Sequence, residues 1–253
     1  MAKAKAKKAT TKRAVPPSNS QRTDIMFVLD ESGSMQSQQD AVIEGLNAFF
    51  EQLKKDKTDD CTVSLVKFDT TSRKWLFKNE SLERIPTLTA KDYKPLAGTP
   101  LYDAIMEAAA EFKVSSIGTD RRLFCIYTDG EENSSQKYKL EDVQRLVKDM
   151  KETWTFTFLG ANIDAYAAGT SLGINASNIG QTRHGSVRNS MSALASATNS
   201  FRASGVSGQS ISGYYNAEEQ VLMNAPDAEE VTTTTTTTRI NRKRNAQSPT
   251  HKT

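Results

Sequence analysis

Cysteine and histidine are nearly missing from this chain, with two of each among 253 residues. Cys61 and Cys125 fall inside apparent strands without the spacing of a disulfide framework, and His184 and His251 are isolated. Zinc sites built on spaced Cys and His, and catalysis resting on a histidine base, are therefore unsupported. No apolar run approaches the roughly 18 residues that span a bilayer. The N-terminus carries charge but no apolar stretch behind it, so it gives no secretory signal. Two thiols without a pairing pattern fit a reducing compartment. The expectation is a cytoplasmic protein that makes no membrane contact.

Excess charge is also scarce where a fold is expected. The net charge of +3 and the pI near 8.7 come from the ends. Residues 1–23 hold seven Lys/Arg and no acid, and residues 205–253 hold five of each sign. The remaining 21 basic and 25 acidic residues leave the body at about −4. A basic pI is thus no argument that the folded part binds nucleic acid. The N-terminal lysines are either a solvated extension or a sequence-independent contact to nucleic acid or an anionic surface. They lack the interleaved aromatics that stack on bases. Residues 1–22 show no hydrophobic periodicity and read as a basic disordered tail. Residues 205–253, with "GVSGQSISG", a threonine tract at 232–238 and "RINRKR", read as a low-complexity tail. Within it, 214–225 could form a short helix or a docking peptide. The folded domain is then 23–204.

What the middle does contain is alternation. Ile25–Leu29 is a continuous apolar run, the mark of a strand covered on both faces. Val42, Leu46, Phe49, Phe50 and Leu53 follow at helical spacing. Residues 61–68 alternate with period two, and 73–78 make a short antiparallel edge strand. Leu101–Phe112 is a helical stripe, 123–127 a second buried run, and Leu140–Met150 helical again. A strand at 154–160, a short helix near 163–171, a small strand near 177–181 and a helix over 187–201 complete the series. This predicts an α/β fold: a doubly wound, Rossmann-like, mostly parallel sheet with helices on both faces. Such sheets bind ligands at the carboxyl ends of strands, where strand order reverses.

Polar residues gather at those ends. Asp30, Ser32 and Ser34 follow the first buried run in "DESGS", Asp129 follows the second in "TDGEEN", and Thr99 precedes a helix in "GTP". Each is an ordinary turn or capping pattern when taken alone. Together they make an all-oxygen set of three hydroxyls and two carboxylates. That chemistry suits a hard divalent cation, Mg²⁺ first, with Mn²⁺ or Ca²⁺ as alternatives.

These three motifs, in the chain order "DESGS", "GTP", "TDGEEN", resemble the metal-ion-dependent adhesion site of von Willebrand factor A domains, and the likeness spans roughly residues 22–203. The resemblance implies that Ser32, Ser34 and Thr99 bind the ion directly or nearly so. Asp30 and Asp129 would act mainly through bound water, leaving an open position for a Glu or Asp of a partner protein. It implies a non-enzymatic binding module, of a type similar to intracellular bacterial and phage members that work beside a AAA+ ATPase or in assembly. In that fold Cys61 and Cys125 lie about 10 Å apart, beyond the roughly 7 Å reach of a disulfide. Glu31, Glu131 and Glu132 are expected as a solvated acidic rim, and Asp69 as a turn residue. Two other classes remain open. One is a scaffold or virion component acting through its tails. The other is a Mg²⁺-dependent phosphohydrolase, which would need an acid where Ser32 stands.

Overall fold

Strand β1 (Arg22–Asp30) is buried from Thr23 to its end, and its side chains divide strictly by parity. Ile25, Phe27 and Leu29 enter one apolar layer, while Met26 and Val28 enter the other. This explains the continuous run: a strand with helices on both faces has no polar side. The computed structural model describes residues 21–57, 59–183, 185–204 and 210–227. The readings placed on the N-terminal lysines, the threonine tract, "RINRKR" and both histidines lie outside these residues.

The sheet has six strands in the order β3-β2-β1-β4-β5-β6. They are β1, β2 (Asp60–Phe68), β3 (Arg73–Ser81), β4 (Arg121–Thr128), β5 (Thr155–Ala161) and β6 (Ile179–Thr182). All neighbours pair in parallel except β2 and β3. Helices α1 (Gln39–Lys55) and α5 (Val187–Ala203) cover one face through Val42, Leu46, Phe49, Met191 and Leu194. Helices α2 (Leu101–Ser115), α3 (Leu140–Met150) and α4 (Ala165–Ser171) cover the other through Leu101, Ile105, Phe112, Val143 and Ala165. After β2 the chain builds outward on one side of β1, and after β4 it builds outward on the other. Strand order therefore reverses between β1 and β4, which opens a crevice at their carboxyl ends. Among the described residues no helix is long and apolar enough to cross a membrane.

Three expectations need correction. The edge strand β3 is longer than 73–78 because its pairing with β2 continues beyond a register shift around Leu65. Asn79, at φ 50°, absorbs the bend, and its N–H donates to Ser64 Oγ at 2.9 Å. Arg22 belongs to β1 and not to the tail: its N–H donates to Asp120 at 2.8 Å and its guanidinium pairs with Asp24 at 2.9 Å.

The largest correction is at the other end, where 210–227 is part of the fold. Tyr214 and Tyr215 are buried, and their hydroxyls meet Thr198 Oγ1 at 2.7 Å and Thr157 Oγ1 at 2.8 Å. Helix α6 (Ala217–Asn224) starts with a capping box between Asn216 and Glu219. It lays Met223 onto β6, where a Cβ at Gly180 would come within 2.6 Å of the Met223 sulfur. The segment ends on Asp227, whose carboxylate accepts the N–H groups of Arg188 at 3.1 Å and Asn189 at 3.0 Å. That places a negative charge on the first turn of α5, where the helix dipole favours it.

Met223→Ala should lower unfolding free energy by about 2–5 kcal/mol, the range for a buried methionine. Urea titration measures this, and an unchanged midpoint would mean that 210–227 does not pack on the domain.

Candidate metal centre

Asp30 is the last residue of β1 and is completely buried. Its Oδ1 accepts the Ser32 N–H at 2.7 Å and its Oδ2 accepts the Thr128 hydroxyl at 2.5 Å. Its carbonyl oxygen accepts the Tyr93 hydroxyl at 2.6 Å. The turn into a short 3₁₀ segment (Gly33–Gln38) then brings Ser32 Oγ and Ser34 Oγ within 3.0 Å of each other. Ser34 Oγ donates to Asp129 Oδ1 at 2.6 Å, and Gln38 Nε2 donates to Asp129 Oδ2 at 3.2 Å. Thr99 completes the group from the far side. A Cβ on Gly130 would stand 3.0 Å from Thr99 Oγ1 and 3.6 Å from Ser34 Oγ. Glycine there keeps the hydroxyls from being pushed apart.

The structure thus brings Asp30, Ser32, Ser34, Thr99 and Asp129 to one point at the reversal of strand order. Oxygens at right angles around a small dication, at 2.0–2.1 Å from it, stand about 2.9 Å apart. The 3.0 Å and 2.6 Å spacings around Ser34 are of that size. The donor set fits a hard cation. Among the described residues no three His, Cys, Asp or Glu converge, so hydroxyls make up most of the donor set.

Electrostatics agree with an unbalanced site. Burial pushes the Asp30 carboxyl up to about 6, with nearby Asp129 adding to the shift and the bonds from Thr128 and Ser32 opposing it. Burial also raises Asp129, against its bonds from Ser34 and Gln38. Two carboxylates held in a partly dry crevice both ionise less readily than free ones, and a positive charge placed there would reverse that shift.

The loop before α2 has no regular structure of its own, and a buried ion pair holds it. Glu31 Oε1 accepts Lys67 Nζ at 2.6 Å, with both side chains nearly inaccessible, and it also accepts the Lys94 N–H. Leu96 N–H donates to the Glu31 carbonyl at 2.8 Å, and Gly33 N–H donates to Ala97 O at 2.9 Å. Glu31 is therefore no part of a solvated rim. Glu132 is not free either: it accepts the N–H groups of Tyr102 at 2.9 Å and Ser135 at 2.7 Å. Glu131 does stay exposed. Asn133 grips Thr99 from both sides, Oδ1 accepting its N–H at 2.9 Å and N–H donating to its carbonyl at 3.2 Å. Asp69 acts as a turn residue, accepting from Thr71 and Ser72 N–H.

Sequence reasoning missed Gln38, Tyr93, Asn133 and the role of Glu31. A single signal was available, the lysine inside the apolar run "SLVKF", since a buried lysine demands an acid. The two cysteines are unpaired, buried and two strands apart on β2 and β4. Burial pushes the Cys61 thiol up to about 12 and raises Cys125 as well, so neither is a nucleophile at neutral pH.

Comparison with known proteins agrees with this architecture. The family model described as von Willebrand factor type A domain matches residues 24–208. A search of curated proteins finds no match. Among solved structures, proximal thread matrix protein 1 from the mussel byssus superposes with a TM-score of 0.54 at 13% identity, over 73% of this chain and 47% of that one. Another structure of that protein is described as having a zinc-occupied MIDAS motif. The pilus adhesin SpaC of Lactobacillus rhamnosus GG gives a TM-score of 0.57 at 15% identity, over 72% of this chain and 30% of that one. The vWF domain of the pilus tip protein Mfa5 of Porphyromonas gingivalis gives 0.53 at 11%, over 71% and 96%. At such identities these likenesses show the fold alone. The chain spans half or less of the mussel and Lactobacillus proteins.

Two outcomes follow from the buried charges. Asp30 holds a proton more readily folded than unfolded, so in chelator-containing buffer its contribution to stability is complete below pH 3.8 and lost as pH rises through about 6. Asp30→Asn should therefore stabilise the metal-free protein at pH 8, by up to about 3 kcal/mol, and have little effect near pH 4. Urea midpoints at the two pH values measure this, and equal effects at both would contradict it. Lys67→Met, which leaves Glu31 buried alone, should lose about 3–5 kcal/mol, and Lys67→Met/Glu31→Gln clearly less. A double-mutant cycle with no coupling would remove the pair from its anchoring role.

Proposed function

Because this chain belongs to the von Willebrand factor type A family, we propose that it is a Mg²⁺-dependent protein-binding module whose partner presents a Glu or Asp. The observation that supports this most directly is the convergence of the Ser32, Ser34 and Asp129 oxygens at 2.6–3.0 Å, with Thr99 beside them. Ser32, Ser34 and Thr99 are the residues that would hold the ion, with Asp129 next to them. Asp30 gives both its oxygens to protein donors, so its charge acts from one layer back and fixes Ser32. When bound, the dication supplies a poorly neutralised positive charge that attracts an external carboxylate in a partly dry setting. The all-oxygen set favours Mg²⁺, with Mn²⁺ and Ca²⁺ as competitors and zinc as the ion to test against.

Nothing in this arrangement needs a chemical step, and we read the protein as a non-enzyme. A nucleophilic Asp30 would have to surrender its bonds from Thr128 and Ser32, and Ser32 cannot serve as the neighbouring acid. We place it in the cytoplasm, where buried unpaired thiols persist, beside a AAA+ ATPase or an assembly protein.

Pull-down from the native cell tests this, with and without EDTA, comparing wild type with Asp30→Ala. Capture should vanish with chelation and with the variant, and calorimetry should show Mg²⁺ uptake by the wild type alone. Capture that survives both, but is lost on deleting 1–20 or 228–253, would transfer the function to the ends of the chain. Phosphate release from generic substrates that Asp30→Ala abolishes would make the protein an enzyme.

A further inference from the structure

Beside the five-residue cluster, a cleft of about 260 Å³ opens between the start of α2, the β4–α3 loop and α4. Its floor is apolar, from Leu101, Ala168 and Leu172, and its charged wall is Glu131, Glu132 and Asp164. No Lys, Arg or His is among the described residues that line it. Gly130 belongs to both the cleft and the cluster, so the two are continuous.

Two of the three carboxylates are held in place. Glu132 is tied by the N–H groups of Tyr102 at 2.9 Å, Ser134 at 2.8 Å and Ser135 at 2.7 Å. Asp164 accepts the Ala167 N–H at 2.9 Å as the cap of α4. Burial raises the Tyr102 phenol, with Glu132 and Glu141 adding to the shift, as expected beside negative charge. These acids do not converge tightly enough to hold a metal ion themselves. No basic side chain among the described lining residues faces them, so the wall is open to a cation from a partner.

We infer that this cleft receives a lysine or arginine of the same partner segment that presents its carboxylate to the cluster. The inference rests on the reading of the cluster as a carboxylate-binding metal site. A long basic side chain matches both parts of the cleft: its aliphatic stem lies along Ile163, Ala167 and Ala168, the accessible apolar lining, and its cationic end meets the acids. The recognised element is then an acid with a base a few residues away, which is more selective than a lone carboxylate. A partner with a second acid at that place would be repelled.

The test is an array of short peptides, each with one central Glu or Asp. Lys, Arg, Gln, Leu or Glu is placed in turn at each neighbouring position, and the full chain is applied in Mg²⁺. Lys or Arg at one offset should bind about two- to fivefold better than Gln there, with Glu worse, and added salt should shrink the difference. In Glu131→Gln/Asp164→Ser, where serine still caps α4, the gain should vanish while binding of the base-free peptides is kept. A flat profile, an equal gain from Leu, or a gain untouched by the double variant would overturn the proposal. So would a preference seen only after removing 1–20 or 228–253, which would assign the cleft to the chain's own basic ends. Mg²⁺-dependent binding with a flat profile strikes the cleft alone. Binding by no peptide, or binding indifferent to EDTA and Asp30→Ala, removes the metal reading and the cleft together.

Discussion

The hydrogen bond from the Thr128 hydroxyl to the Asp30 carboxylate joins the ends of the two central strands. Everything at the candidate site depends on that junction. It fixes Asp30, which fixes the Ser32 N–H, which sets the turn carrying Ser34. From the other strand the same chain step carries Asp129, and Ser34 closes the ring by donating to it. Neither strand could hold this geometry alone. The parallel pairing of Leu29 with Tyr127 puts the two ends level, and the apolar layers on both faces keep them from shifting.

The same enclosure works against stability. Carboxylates are poorly solvated at a closed sheet edge, and burial is the first cause of the raised pKa of both Asp30 and Asp129. A fold selected only for stability would neutralise them with a basic side chain. The lysine that is present nearby, Lys67, is engaged by Glu31. The crevice thus keeps an unmet demand for positive charge, and surrounding bonds maintain it at the expense of folding free energy.

Much of this was legible in the sequence because regular periodicity reports regular structure. The two-sided strands, the helical stripes and the five polar residues at strand ends were all readable from residue order. The missed elements share one property: they depend on contacts between segments with no local period. Glu31 reads as a surface residue until Lys67 is brought against it. Tyr93 and Asn133 sit in irregular loops and reach the site through backbone atoms of Asp30 and Thr99. The 210–227 segment hides behind a Gly/Ser-rich lead and anchors through an adjacent tyrosine pair, Tyr214 and Tyr215, and the distant Met223. Its composition resembles a tail, and its position is set by partners on β5, β6 and α5.

That last segment also gives the molecule a polarity. Asp227 ends beside Gly185 and the first turn of α5, on the sheet edge that carries Asp30, whereas Arg22 enters β1 at the opposite edge. A strand of nine residues separates the edges by about 30 Å. Asp227 therefore lies on the side of the sheet that carries the candidate metal centre, and Arg22 lies on the far side. Entry and exit of the described chain thus lie at opposite ends of the sheet, and the exit shares its side with the Asp30 cluster.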